Sequence, residues 1–139
     1  MIGRAGSKGY PKKNILNVFG KKLCEYPLIA ANKSKTINKI YVSTDCPIIK
    51  KVSKKYNVSF INRPKKLSTN KALGDNVFEH AYNEIKKIEK NKIQYLVLLF
   101  ANAPLVTKEL INKGISILKR NPKAEHDLVE IPLNWLIRC

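Results

Sequence analysis

The chain has 139 residues, 44% of them hydrophobic, which suits one domain with one hydrophobic core. Its 27 Lys and Arg against 10 Asp and Glu leave a formal charge of +17, pointing to anionic partners such as nucleotides, nucleic acid or acidic membranes. Three cysteines without paired or metal-like spacing disfavour a disulfide scaffold, and no apolar run nears the ~20 residues of a spanning helix, so a cytoplasmic chain outside the membrane is expected.

Residues 3–14, GRAGSKGYPKKN, read as a loop rich in Gly, Lys and Pro. Gly3, Gly6 and Gly9, at intervals of three, let the backbone approach an anion, and successive N–H groups in such a loop can form an anion-binding nest. Arg4 and Lys8 add charge-assisted donors suited to a polyphosphate. The loop matches neither G-x-G-x-x-G nor G-x-x-x-x-G-K-[ST], which argues against a dinucleotide fold and a P-loop.

A short helix is expected over residues 27–33, followed by a β-branched and aromatic strand, IYVST, over residues 40–44. Asp45 or Cys46 can cap a helix starting at Pro47, with Ile48, Ile49, Val52 and Tyr56 as its apolar face. A second strand over 58–61 leads into a loop over 62–70. A long helix over 75–90 then turns Val77, Phe78, Ala81, Tyr82, Ile85 and Ile88 inward. The run YLVLLF within residues 94–100 predicts a strand buried on both faces. Thr107 can cap a helix with the stripe Leu110, Ile111, Ile115 and Leu118, and residues 127–131 form a weak last strand. This alternation predicts a three-layer α/β/α domain with a mainly parallel, Rossmann-like sheet, whose ligands sit beyond the carboxyl ends of the strands.

The loop GRAGSKGYPKKN resembles the signature of the acylneuraminate and 3-deoxy-octulosonate cytidylyltransferases, roughly A-R-x-G-S-K-G-x-P-x-K-N. Further landmarks follow in matching order: V-S-T-D at residues 42–45, R-P-x-x-L at 63–67, E-H-A at 79–81 and L-L-F-A-N-A-P-L at 98–105. The resemblance implies transfer of CMP from CTP to an acidic sugar, a sialic acid-like nonulosonate, with release of pyrophosphate. It implies Mg²⁺ as cofactor and leaves a homodimer open. Arg4 and Lys8 would then contact the CTP phosphates. Gly6, Ser7, Lys13 and Asn14 would complete the first nucleotide-binding motif, Arg63 would help hold the nucleotide, and Asn102 would face sugar and nucleotide.

The chain departs from the common L-L-Q-P-T-S-P-L-R form, with Phe100 for Gln, Asn102 and Ala103 for Thr and Ser, and Val106 for Arg. These swaps are expected to remove polar groups and one cation from the acceptor pocket. Asp45 reads either as a metal-side carboxylate or as a helix cap, and the family's main metal-binding aspartates would come from a later segment. Only Met1 and Ile2 precede Gly3, too few for a strand of ordinary length, so residues 1–139 are expected to form a single incomplete domain, short at both ends. Another sugar nucleotidyltransferase, an inactive fragment and a basic nucleic-acid-binding protein stay open as alternatives. His80 reads as a packing or surface residue, and Cys24 and Cys46 read as core.

Overall fold

The computed structural model describes residues 1–6, 10–69, 72–120, 128–131 and 134–138. Strand β1 (Ile2–Gly3) opens the chain, and after the glycine-rich loop comes a 3-10 turn over Lys13–Ile15. A small antiparallel hairpin follows, β2 (Asn17–Val18) and β3 (Lys21–Lys22), which periodicity alone did not indicate. Its two-residue loop holds Phe19 at φ 44° and Gly20 at φ 79°. Left-handed backbone at both loop positions matches the right-handed twist of paired strands, and glycine adopts it without a Cβ penalty.

Helix α1 (Glu25–Lys33) then precedes β4 (Tyr41–Thr44), α2 (Pro47–Ser53) and β5 (Ser59–Ile61). Helix α3 (Gly74–Ile88), β6 (Tyr95–Leu98) and α4 (Lys108–Arg120) come next. Strands β7 (Leu128–Ile131) and β8 (Asn134–Arg138) close the described chain. Thr107 caps α4 as expected, its Oγ1 accepting the Leu110 N–H at 3.3 Å. No helix among the described residues is long and apolar enough to cross a membrane.

The sheet is mixed. Strands β5, β4 and β1 pair in parallel, in that order, while β8 lies antiparallel between β6 and β7. One parallel bridge, Ile2 opposite Phe100, joins the two halves, with the Ile2 N–H donating to the Leu99 carbonyl at 2.9 Å. The parallel half was legible as αβ alternation; the antiparallel half depends on β8, which the residues 132–139 did not announce.

Helices cover both faces. On one, Leu28 of α1, Ile49 of α2 and Ile111, Ile115 and Leu118 of α4 pack with Val42 and Leu99 of the sheet. On the other, Val77 of α3 meets Ile2 and Leu98, and Ala81 and Ile85 meet Ile61. Leu28, Ile49 and Ile111 are fully buried, and each stabilises the fold by about 1.5–3 kcal/mol relative to exposure. Two expected core residues are exposed instead. Ile48 sits one position from the inward Ile49, a rotation of roughly 100° around a short helix, and is 43% exposed. Ile88 is the last residue of α3 and is 56% exposed.

Candidate active site

A cleft of about 280 Å³ opens where β1 and β5 hand over to their loops. Arg4, Gly6, Lys13, Asn14, Arg63 and Asn102 all line it. Ser7 and Lys8, the other two residues expected here, lie outside the described residues. The placement follows from the parallel register: Gly3 pairs with Thr44 and Ser43 pairs with Ile61, so the residues after β1, β4 and β5 emerge side by side.

The glycine at position 3 is required by close approach. A Cβ there would lie 2.6 Å from the Ala101 Cβ and 3.3 Å from the Ile49 Cδ1. The following loop is held from several sides. The Asp45 carboxylate accepts the Ala5 N–H at 3.0 Å, and Asn14 Nδ2 donates to the Arg4 carbonyl at 3.0 Å. Asn14 is buried; its own carbonyl accepts the Cys24 N–H, and its side-chain Oδ1 has no partner among the described residues. Arg4 Nη1 donates to the Thr69 carbonyl at 3.4 Å, which draws the loop after β5 over the cleft.

Arg63 is the most tightly oriented cation. Its Nε donates to the buried Ser43 Oγ at 3.1 Å and its Nη2 to the Ser43 carbonyl at 2.5 Å, while Nη1 has no partner among the described residues. Burial pulls this guanidinium below the ordinary arginine range; Asp45 opposes that shift and Arg4 adds to it. Arg4, Lys13 and Arg63 thus share one small cleft, with the Asp45 carboxylate near Arg63, an arrangement that favours a bound anion.

Asp45 does not cap helix α2. Helix α2 has Cys46 at its N-cap position without a side-chain cap bond, and the Asp45 carboxylate instead holds the loop after β1 through the Ala5 N–H. No group of three or more His, Cys, Asp or Glu is arranged to hold a metal among the described residues. Cys24 and Cys46 are buried and free, and burial, with Glu25 adding, pushes the Cys24 thiol up to about 11, which suits packing rather than attack.

The segment after β6 corrects one expectation. Ala103 and Val106 are buried in the core, 1% and 5% exposed, so these two replacements face the interior rather than an acceptor pocket. Phe100 packs with Ile2, Val77 and Leu98 while touching the cleft, and Asn102 alone presents an exposed polar side chain to it. The bonds by which Ser43 and Thr69 orient the two arginines were not foreseen. Ser43 lies within the V-S-T-D landmark, but its service to Arg63 depends on the β4–β5 register, which no local pattern states.

A sequence profile described as cytidylyltransferase matches residues 2–133 of the chain. The pseudaminic acid cytidylyltransferase of Campylobacter jejuni (serotype O:2) is 32% identical over 113 residues, covering 80% of this chain and 48% of that protein. The N-acylneuraminate cytidylyltransferase of Escherichia coli O18:K1:H7 is 36% identical over 78 residues, 56% of this chain and 19% of that protein. The chain therefore spans half or less of the length of these curated relatives. Among solved structures, CMP:2-keto-3-deoxy-manno-octonic acid synthetase complexed with CTP superposes with a TM-score of 0.69 at 15% identity, over 89% of this chain and 47% of that one. That likeness establishes the shared fold.

Proposed function

The chain belongs to the cytidylyltransferase family, and on that premise we propose that its cleft binds CTP for transfer of CMP to an acidic sugar of the nonulosonate class, with release of pyrophosphate. The observation that carries this reading is the convergence of Arg4 and Lys13 of the glycine-rich loop and Arg63 of the loop after β5 on one cleft beyond the parallel strands. The names of the relatives, one acting on pseudaminic acid and one on N-acylneuraminate, support the acceptor class.

In the proposed reaction a sugar hydroxyl oxygen bonds to the α-phosphorus of CTP. The bond from that phosphorus to the α–β bridging oxygen breaks, pyrophosphate leaves with the electron pair, and the hydroxyl proton passes to solvent. Such transfer needs positioning and charge neutralisation more than a covalent nucleophile. Arg63, already fixed by Ser43, offers its Nη1 to a phosphate oxygen with little reorganisation. Arg4 and Lys13 add positive charge, the loop held by Asp45 and Asn14 supplies backbone donors, and Asn102 offers a neutral donor and acceptor to the sugar or base.

Calorimetric titration with CTP, UTP, ATP and GTP tests the reading. CTP is expected to bind tightest, and Arg63→Ala to weaken it by about tenfold or more, the loss expected for a charge-assisted hydrogen bond. Weaker binding of CTP than of every other nucleotide rejects the proposal, as does unchanged affinity in both Arg4→Ala and Arg63→Ala. Pyrophosphate release from CTP and Mg²⁺, measured across a panel of acidic sugars, then identifies the acceptor.

A further inference from the structure

The β2–β3 hairpin carries one residue whose placement is unfavourable twice over. Phe19 stands at its tip with 97% of its surface exposed, more than any other large apolar side chain among the described residues. Its backbone is held at φ 44°, a region that asparagine, aspartate and glycine enter readily and a bulky side chain rarely does. Phe19 therefore strains a turn that a smaller residue would relax, and its ring buries nothing. Neither cost serves the fold, which points to a use for the ring outside it.

The surroundings indicate the partner. Residues 10–24 contain Lys12, Lys13, Lys21 and Lys22 and no acidic residue. Lys21 and Lys22 form β3, opposite Val18 and Asn17, so two cations follow the ring directly on the returning strand. The first carboxylate after them, Glu25, is 5% exposed and engaged by the Lys22 N–H and the Tyr56 hydroxyl. Lys55 adds a further ammonium beside it at 3.7 Å. Leu16, whose carbonyl accepts the Leu23 N–H at the base of the same hairpin, is 45% exposed. The tip is thus an aromatic prong with ammonium groups behind it and no exposed carboxylate in its segment.

We propose that this hairpin is a peripheral anchor for an anionic lipid surface, with Phe19 entering the boundary between headgroups and acyl chains and Lys21 and Lys22 pairing with lipid phosphates. A ring projecting from a turn is convex, so a protein partner must offer a preformed pocket to hold it, whereas a bilayer yields to it at any point. Lysines behind such a ring lay their stems along the apolar zone and keep their ammonium groups among the headgroups. One ring and a few cations give weak, reversible attachment. The proposal stands apart from the nucleotide reading, since Phe19 does not line the cleft.

Sedimentation with vesicles of phosphatidylcholine, with or without phosphatidylglycerol, tests this at about 150 mM salt. The chain is expected to sediment with the anionic vesicles alone. Phe19→Asn suits the left-handed turn, so it should keep or raise the thermal midpoint while weakening vesicle binding by about tenfold or more. Phe19→Trp should keep binding, and brominated acyl chains should quench it beyond the wild-type blank, whose one tryptophan is Trp135. Equal binding by Phe19→Asn and the wild type would reduce the contact to general lysine adhesion and overturn the proposal. So would no binding to anionic vesicles, or no added quenching in the Phe19→Trp chain. A dimer formed without vesicles and abolished by Phe19→Asn would assign the ring to a second copy, and overturns it as well.

Discussion

Glu25 illustrates how much of this molecule is decided by contacts between distant residues. Its carboxylate is buried, yet it accepts the Lys22 N–H at 2.8 Å and the Tyr56 hydroxyl at 2.7 Å, with Lys55 at 3.7 Å. Burial alone would raise its pKa; the hydrogen bonds and the lysines outweigh it and hold the group below its ordinary 4.5. A carboxyl depressed in the folded state stabilises the fold above its unfolded pKa, and that stability is lost as pH falls through the folded value. The thermal midpoint is therefore expected to drop as the solution is acidified below about 4.5. Glu25→Gln should start lower at neutral pH and lose less over the same range, as thermal scans at several pH values would show. The sequence placed Tyr56 on an apolar face and gave no reason to join it to Glu25, 31 positions away. Charged and polar site residues show the same divide. Arg4 and Arg63 stand out by type and position, whereas the bonds that aim them, from Ser43, Asn14 and Thr69, exist only after the strands pair.

At the scale of elements, periodicity located what periodicity governs. Helices α3 and α4 carry apolar stripes at helical spacing; α3 lies within two residues of its expected bounds and α4 starts directly after its expected cap, and IYVST and YLVLLF both contain strands. Elements made by turn geometry or long-range pairing escaped. The β2–β3 hairpin has two residues per strand, too few for any alternation to register, and its signal was the Gly20 turn. Strand β1 is equally short and owes its existence to hydrogen bonds on both sides rather than to its own composition. Gly3 is the point where that strand has no room to spare. Gly3→Ala would push a methyl into Ala101 Cβ, and overpacking of this sort destabilises by about 1–3 kcal/mol. Chemical denaturation should register the loss, and Ala101→Gly in the same chain should recover part of it.

The described residues form a three-layer α/β/α arrangement whose helices cover both faces of β1, β4, β5 and β6 and leave most lysines outside. At +17, any long polyanion is expected to adhere without sequence preference, and that adhesion should fall steeply as salt rises from about 50 to 200 mM. Nucleotide held in the cleft should depend less on salt, because two oriented guanidinium groups and backbone donors act at short range. Titrating duplex DNA and CTP at both salt concentrations separates the two; equal salt sensitivity would place CTP on the general surface charge.

The single bridge between Ile2 and Phe100 has a mechanical meaning as well. It is the weld between a parallel plate and an antiparallel one, and the chain leaves it on both sides straight toward the cleft, through Arg4 from one plate and Asn102 from the other. A ligand gripped by both side chains is a rivet across that weld, so occupancy of the cleft and cohesion of the two plates rise and fall together.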